Sequence, residues 1–374
     1  MPLSQIQTLD NQIIPNLGRR NIVINGDMSI NQRYESTALT RTNQGGYGLD
    51  RYELAQVGTT GSPSSKVERV ADAPSGSGFY YSQKVTVVSA ASGYAATDHN
   101  LLQTKFEGLN TKHLLWGTSD AKTCTVSFWV KSSVTGAFSY YILDGDASGG
   151  ANYIAPFTIS AADTWEKKTI TIPGPTSGGV SEFPVNNGRS LYTGWNLGVG
   201  TNHQNSTTNA WVYGTSTWAN STSSTVKLMD TVNATFQVTG HQFEIGNVAT
   251  DFEHRSFAEE LAACQRYYYQ CGFLASTYYG GGSGFAYTFN ATESGGSNNF
   301  PVTMRSSPTV RTKDAAGNIG GVHRAGIGDV TSGVSVNWSG NADANTKGIG
   351  GMNKSNAWAS GNCLIFGYEA DAEL

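Results

Sequence analysis

One glycine constrains this chain more than any other residue. In ATFQVTGHQFEIG (234–246) the bulky apolar side chains before Gly240 stand at even positions, Phe236 and Val238. Those after it stand at odd positions, Phe243 and Ile245. Side chains alternate faces along a strand, so a parity change across a glycine marks one inserted residue, a β-bulge. The reading is one strand over Ala234–Gly246, bent at Gly240. His241, beside the bulge, reads as a structural hydrogen-bonding residue rather than a base.

The chain then changes character. Ser256 with Glu259 three residues on is a capping-box pattern that opens a helix. Phe257, Leu261, Cys264 and Tyr268 come at i, i+4, i+7 and i+11, one face of that helix. About three turns do not persist alone in water, so this face must pack on something. The chain on the N-terminal side of the helix reads as one β domain and the chain on its C-terminal side as another.

Before the helix, NIVIN (21–25), GLDRYELAQ (48–56), FYYSQKVTVV (79–88), KTCTVSFWVK (122–131) and TWEKKTITIPG (164–174) read as strands. In the fourth, Cys124, Val126, Phe128 and Val130 face one way, and Trp129 interrupts the polar face. About ten closely spaced strands without intervening helices predict a two-sheet sandwich, a jelly roll. Charged residues make only 14% of the 374 and glycine numbers 45, against about 25% charged in ordinary globular proteins. That is a composition of short strands and polar turns. The segment 174–225 reads as long polar loops carrying Trp195, Trp211, Tyr213 and Trp218. After the helix, Gly280–Gly282 begins a glycine-rich stretch, and PVTMR (301–305), PTVRT (308–312), VSVNW (334–338) and NCLIFGYEA (362–370) come after it as short strands. The organisation expected is an arm (1–20), a sandwich (21–255), a helix (256–272) and a small glycine-rich β domain (273–374). In the arm, Leu3, Ile6, Leu9 and Ile13 are spaced for a short amphipathic helix or a docking strand, with a frayed tail as the alternative.

Catalytic and cofactor motifs are missing. There is no GxSxG, HExxH, P-loop or placed GxGxxG, and the six histidines lack ligand spacing. Asp144 and Asp146 lack the spacing of an EF-hand calcium loop and read as a turn. No metal or cofactor is expected. Cys124, Cys264, Cys271 and Cys363 form no CxxC, and free buried thiols are the expectation. A net charge of −4 argues against nucleic acid. No apolar run reaches ~18 residues, so no membrane insertion is expected. No apolar leader is visible at the N-terminus, so folding in a cytosol is expected. What remains is aromatic surface. Trp and Tyr in polar loops stack on the apolar face of a sugar and add a polar handle. Trp195, Trp211, Tyr213, Trp218, Trp338 and Trp358 are the candidate glycan contacts; the alternative is that each ring caps its own core.

NLGRRNIVINGDMSINQR (16–33), YGLDRYEL (47–54), TCTVSFWVKSSVTGAFSYYI (123–142), TWEKKTITIPG (164–174) and FQVTGHQFEIGNVATDFEHRSFAEELAACQRYYYQ (236–270), in this order and spacing, resemble a family of bacteriophage tail-fibre or virion appendage proteins frequent among marine phages. FPVTMRSSPTV (300–310) and FGYEADAEL (366–374) resemble fibre tips. The resemblance implies a non-enzymatic component of the virion tail, assembled in the host cytoplasm. It implies a jelly roll like carbohydrate-binding modules and a homotrimeric tip binding a host surface glycan. Docking to other tail proteins would be through the arm. Phe257, Leu261, Cys264 and Tyr268 would then line a seam between subunits; the alternative is a helix packed on its own chain. The rivals are a purely structural adaptor without a receptor site and a polysaccharide-degrading appendage.

Overall fold

The structure is a computed structural model. It describes residues 19–33, 38–42, 45–57, 63–145, 150–214, 218–271, 284–288, 293–314, 319, 322–324, 328–330, 334–337, 346–354 and 363–374. Leu3, Ile6, Leu9, Ile13, Asp146, Trp338 and Trp358 lie outside these. The protein is mainly β, and its chain forms two compact units.

The first unit comprises residues 1–29, 38–46 and 53–254. It is a sandwich of two antiparallel sheets. One runs β1 (Leu39–Thr42), β4 (Ser64–Val70), β5 (Ser82–Ser89), β13 (Thr235–Ile245), β7 (Cys124–Ser132), β10 (Glu166–Ile172). The other runs β12 (Trp211–Val212), β9 (Asn152–Ile159), β8 (Gly136–Asp144), β11 (Arg189–Val199), β6 (His99–Glu107), β3 (Tyr52–Val57), β2 (Gly46–Leu49). Non-consecutive neighbours of this kind are the crossovers of a jelly roll. Alternation decides which side chains meet between the sheets. Cys124, Val126, Phe128 and Val130 of β7 are buried, as their spacing predicts. Phe128 lies parallel to Tyr140 of the opposite sheet at 5.5 Å and edge-on to Trp195 at 5.3 Å.

The bulge is present. Thr239 pairs with Trp129 and Gln242 with Ser127, so three steps on β13 face two on β7. Gly240 has φ +63°, and a Cβ there would lie 2.6 Å from the Phe79 ring and 3.2 Å from Trp129. Both the left-handed backbone and the close approach require glycine. The extra residue keeps Phe236, Val238 and Phe243 all in the core. It also turns His241 inward, where its Nε2 meets the Tyr140 hydroxyl at 2.9 Å.

Several expected strands differ. NIVIN is buried but forms no ladder: Asn21 turns its side-chain carbonyl onto the amides of Val23 and Phe243, and Asn25 adopts φ +62°. GLDRYELAQ breaks into two strands at Asp50–Arg51, where Arg51 has φ +70°. Of the face read in FYYSQKVTVV, Val85 and Val87 are buried in β5, whereas Phe79 and Tyr81 precede it. The segment 174–225 is not continuous loop, because it holds the eleven-residue β11.

The second unit comprises residues 30–37, 47–52 and 255–374. The helix belongs to it, as do two segments that the sequence places in the sandwich. Its strands are β14 (Tyr268–Cys271), β15 (Gly284–Thr288), β16 (Glu293–Asn299), β17 (Thr309–Lys313), β18 (Val322–Arg324), β19 (Gly328–Val330), β20 (Val334–Asn337), β21 (Gly348–Lys354) and β22 (Cys363–Asp371). β22 organises them. Its first half pairs with β15 and β18, and its second half with β14 and β17. PVTMR forms no strand.

The helix spans Phe257–Gln265 and carries the capping box: the Glu259 amide donates to the Ser256 hydroxyl, and the Glu259 carboxylate accepts from the Ser256 amide. It is shorter than its apolar spacing predicts. Tyr268 is not on its face but on β14, paired with Asp371. Cys264 and Tyr268 are buried within this unit of one chain, so neither is available to a seam between subunits. Phe257 is 64% exposed, and Leu261 is half-buried. Cys124, Cys264 and Cys271 are free and buried.

A buried ionic cluster holds the second unit's segments together. Arg33 donates to Asp371 and to Glu373, each at 3.1 Å, and lies 3.6 Å over the Tyr268 ring. Arg51 pairs with the same Glu373 and lies 3.6 Å over Tyr267. Asp50 accepts the Gln32 amide at 2.6 Å and its side-chain NH₂ at 2.8 Å, and Gln32 donates again to the Tyr268 carbonyl. Cations desolvated over aromatic faces and bonded to carboxylates form a specific, directional lock.

Candidate functional site

The candidate glycan contacts separate in space. Trp195 is fully buried, because it stands on the inward side of β11, opposite Leu102 and Tyr140 and against Phe128 and Phe236. It is a core residue and is removed from the binding set. Trp211 is half-buried among Trp116, Tyr153 and Phe183, and its indole N–H donates to the Pro173 carbonyl at 2.6 Å. It too closes the core. Trp218 is 36% exposed and lines a recess; Tyr213 is exposed and stands outside that recess.

The recess lies on the outward face of the second sheet. Alternation along β6 sends Leu102 and Phe106 into the core and leaves His99, Leu101, Gln103 and Lys105 on the other side. The register puts Ala55 of β3 beside Leu101, and Tyr192 of β11 between Lys105 and Leu143. Ala55, Leu101, Leu143 and Tyr192, over the buried Tyr141, form an apolar floor. Two loops complete the wall with His203, Trp218 and Asn220. The recess between these side chains is shallow and open to solvent.

The Tyr192 and Trp218 rings stand 6.4 Å apart at 37°, a tilted pair at the mouth. The Arg189 guanidinium lies 4.1 Å over Tyr192 and is itself held by the Gly145 carbonyl. Polar groups are fixed beneath. Gln103 donates to Glu53 at 2.8 Å and accepts the Tyr141 hydroxyl at 2.8 Å; Glu53 also pairs with Lys105 at 2.9 Å. Asn220 is locked by Asn196, which donates to its side-chain carbonyl at 2.7 Å, and by Ser139, which donates to its backbone carbonyl at 2.8 Å. Burial holds the His99 imidazole below its usual range, and the neighbouring His203 adds to this. Rings with apolar faces above a rigid lattice of amides are suited to stacking and hydrogen bonding with a polyhydroxylated ligand. Among the described residues no group of His, Cys, Asp and Glu is placed to hold a metal ion. Among them, too, no helix is long and apolar enough to cross a membrane.

Of the four sequence candidates among the described residues, the recess gathers Trp218 alone. Tyr192, His99, Gln103, His203 and Asn220 join it without being among them. The alternation His99-Leu101-Gln103-Lys105 is the available signal for β6; nothing local marks His203 or Asn220.

No family model matches the chain, and no curated protein sequence matches it. Solved structures do. The enzymatically active domain of tailspike protein 4 from bacteriophage CBA120 is similar at 12% identity and a TM-score of 0.31, over 53% of this chain and 20% of that one. The match thus spans a fifth of the tailspike chain. The family 11 carbohydrate-binding module from Clostridium thermocellum, in complex with a β-1,3-1,4-mixed-linked tetrasaccharide, is similar at 12% identity and a TM-score of 0.26, over 56% of this chain and 98% of that one. The N-terminal tandem CBM22 domains from Paenibacillus barcinonensis Xyn10C are similar at 10% identity and a TM-score of 0.28, over 92% and 99%.

Proposed function

We propose that the outward face of the second sheet binds carbohydrate without cleaving it, and that the protein is a phage tail-fibre or related virion appendage contacting a host surface glycan. The observation that carries the first part is the tilted pair of Tyr192 and Trp218 over the recess floored by Leu101 and Leu143 and edged by Gln103 and Asn220. The second part is supported by the five motifs over residues 16–270 in the order of that family. Tyr192→Ala and Trp218→Ala each remove one stacking surface and are expected to weaken binding at least tenfold, about 1.4 kcal/mol. Calorimetric titration with oligosaccharides from host envelopes checks this. Unchanged affinity in both variants rejects the site, and release of shortened oligosaccharides rejects the non-catalytic role.

A second reading, a purely structural appendage, is favoured by one observation. Gln32, Arg33, Asp50, Arg51 and Tyr268, all within the family-like motifs, are spent on holding the fold. Assembly as a homotrimer, in the tail and after folding in the host cytoplasm, belongs to the same proposal. Exposed Phe257 and half-buried Leu261 are the residues of the expected seam still open to a partner. Leu261→Asp is expected to reduce the solution mass from trimer to monomer, since an unpaired charge would be buried in the seam. A monomeric wild type contradicts the trimer.

A further inference from the structure

His203 occupies an unusual position in the recess wall. Its Nδ1 lies 3.2 Å from the Trp218 carbonyl and its Nε2 lies 3.1 Å from the Thr97 carbonyl. Carbonyl oxygens only accept. A neutral imidazole carries one N–H and can satisfy one of them, whereas an imidazolium donates to both. The ring thus bridges the loop that carries Trp218 to the turn that leads into β6. The same loop is tied back by the Asn220 amide, which donates to the His203 carbonyl at 3.0 Å.

We propose that His203 is a positioning residue for Trp218: doubly protonated, it clasps the Trp218 loop to the Thr97 turn, and on losing one proton it releases one of the two anchors. The clasp deepens the glycan-binding reading, on which its consequence rests: the recess holds its ring more firmly in mildly acidic surroundings than in alkaline ones. The neighbouring groups permit this. His99 from β6 stands edge-on to His203 at 5.2 Å, and its burial disfavours a positive charge on it, which limits a second positive ring opposing the proton. Asp98, just before β6, and Glu53 of β3 are the carboxylates acting on His99; Asp98 accepts the Ala95 amide, and Glu53 is paired with Lys105.

The test uses the full chain labelled with ¹⁵N and no ligand. Hydrogen exchange of the Asn220 amide, corrected for its intrinsic rate, is measured at pH 5.5 and pH 8. Exchange about five- to tenfold slower at pH 5.5 is expected, the share of a charge-assisted bond left after screening by solvent. The Trp218 indole N–H resonance, assigned by its loss in Trp218→Phe, should move with the same midpoint as the His203 ring. His203→Phe should abolish the pH dependence, and His203→Arg, a permanent cation with several donors, should keep the loop protected at both pH values. Equal corrected rates in the wild type overturn the clasp, as does pH dependence that survives in His203→Phe. Because no sugar is present, failure here leaves the glycan reading standing, and failure of Tyr192→Ala and Trp218→Ala to weaken binding leaves the clasp standing.

Discussion

Glu373→Gln is expected to destabilise the second unit by about 3–5 kcal/mol, the cost of leaving a buried charge without its counter-ion. Glu373 is the shared acceptor of two arginines, and all three side chains are less than a tenth exposed. Arg33 retains Asp371 when Glu373 is neutralised, whereas Arg51, the more deeply buried of the two, loses the carboxylate that faces it. The effect should therefore be reproduced by Arg51→Met alone. In the double variant Arg51→Met with Glu373→Met it should be partly relieved, because neither partner of that pair is left charged. Urea denaturation monitored through the hydrogen exchange of β14 and β22 reports on this unit. Its midpoint should fall by about 1–2 M. A Glu373→Gln midpoint within error of wild type would mean that the cluster is solvated and contributes little.

Acid should unfold the first unit in part through one histidine. His241 is fully buried, and burial lowers its pKa to about 3. In the unfolded chain the same ring titrates near ~6.5. The folded-state value is the lower, so between the two the unfolded chain binds a proton that the folded chain refuses. The stabilisation is complete above about pH 6.5 and is lost as pH falls toward about 3, at roughly 1.4 kcal/mol per pH unit. The Tyr140 hydroxyl meets its Nε2, which fits a neutral ring accepting that hydrogen bond. His241→Gln removes the titration. The variant should be less stable than wild type at pH 7.5, and the gap should narrow by about 2 kcal/mol at pH 5. Urea melts at the two pH values measure the difference. Parallel losses in both proteins would contradict it.

The features legible in the sequence are local ones. Gly240 flips the parity of its neighbours within a few residues, and Ser256 and Glu259 cap a helix within one turn; both are present as read. Trp195 misleads for a local reason too. Gly194 and Gly198 flank it in GWNLG, and glycines there imitate loop composition, while β11 owes its strand conformation to pairing with β6 and β8. Tyr268 continues the apolar spacing of the helix, but pairing with β22 wins over a helix that ends at Gln265. The recess draws on β3, β6, β8, β11 and two loops, which no single stretch announces. Arg33 finds Glu373 across 340 residues, and the aspartate, arginine and tyrosines around it read in sequence as motifs without a role. Their role is to close the second unit.

Chemical-shift mapping by NMR, with oligosaccharides from the host envelope titrated into the ¹⁵N-labelled chain, addresses the proposed binding face most directly. The largest changes are expected at Leu101, Gln103, Tyr192, Asn220 and the Trp218 indole. Changes confined to the second unit, or to the outer face of the sheet that holds β7 and β13, would contradict it.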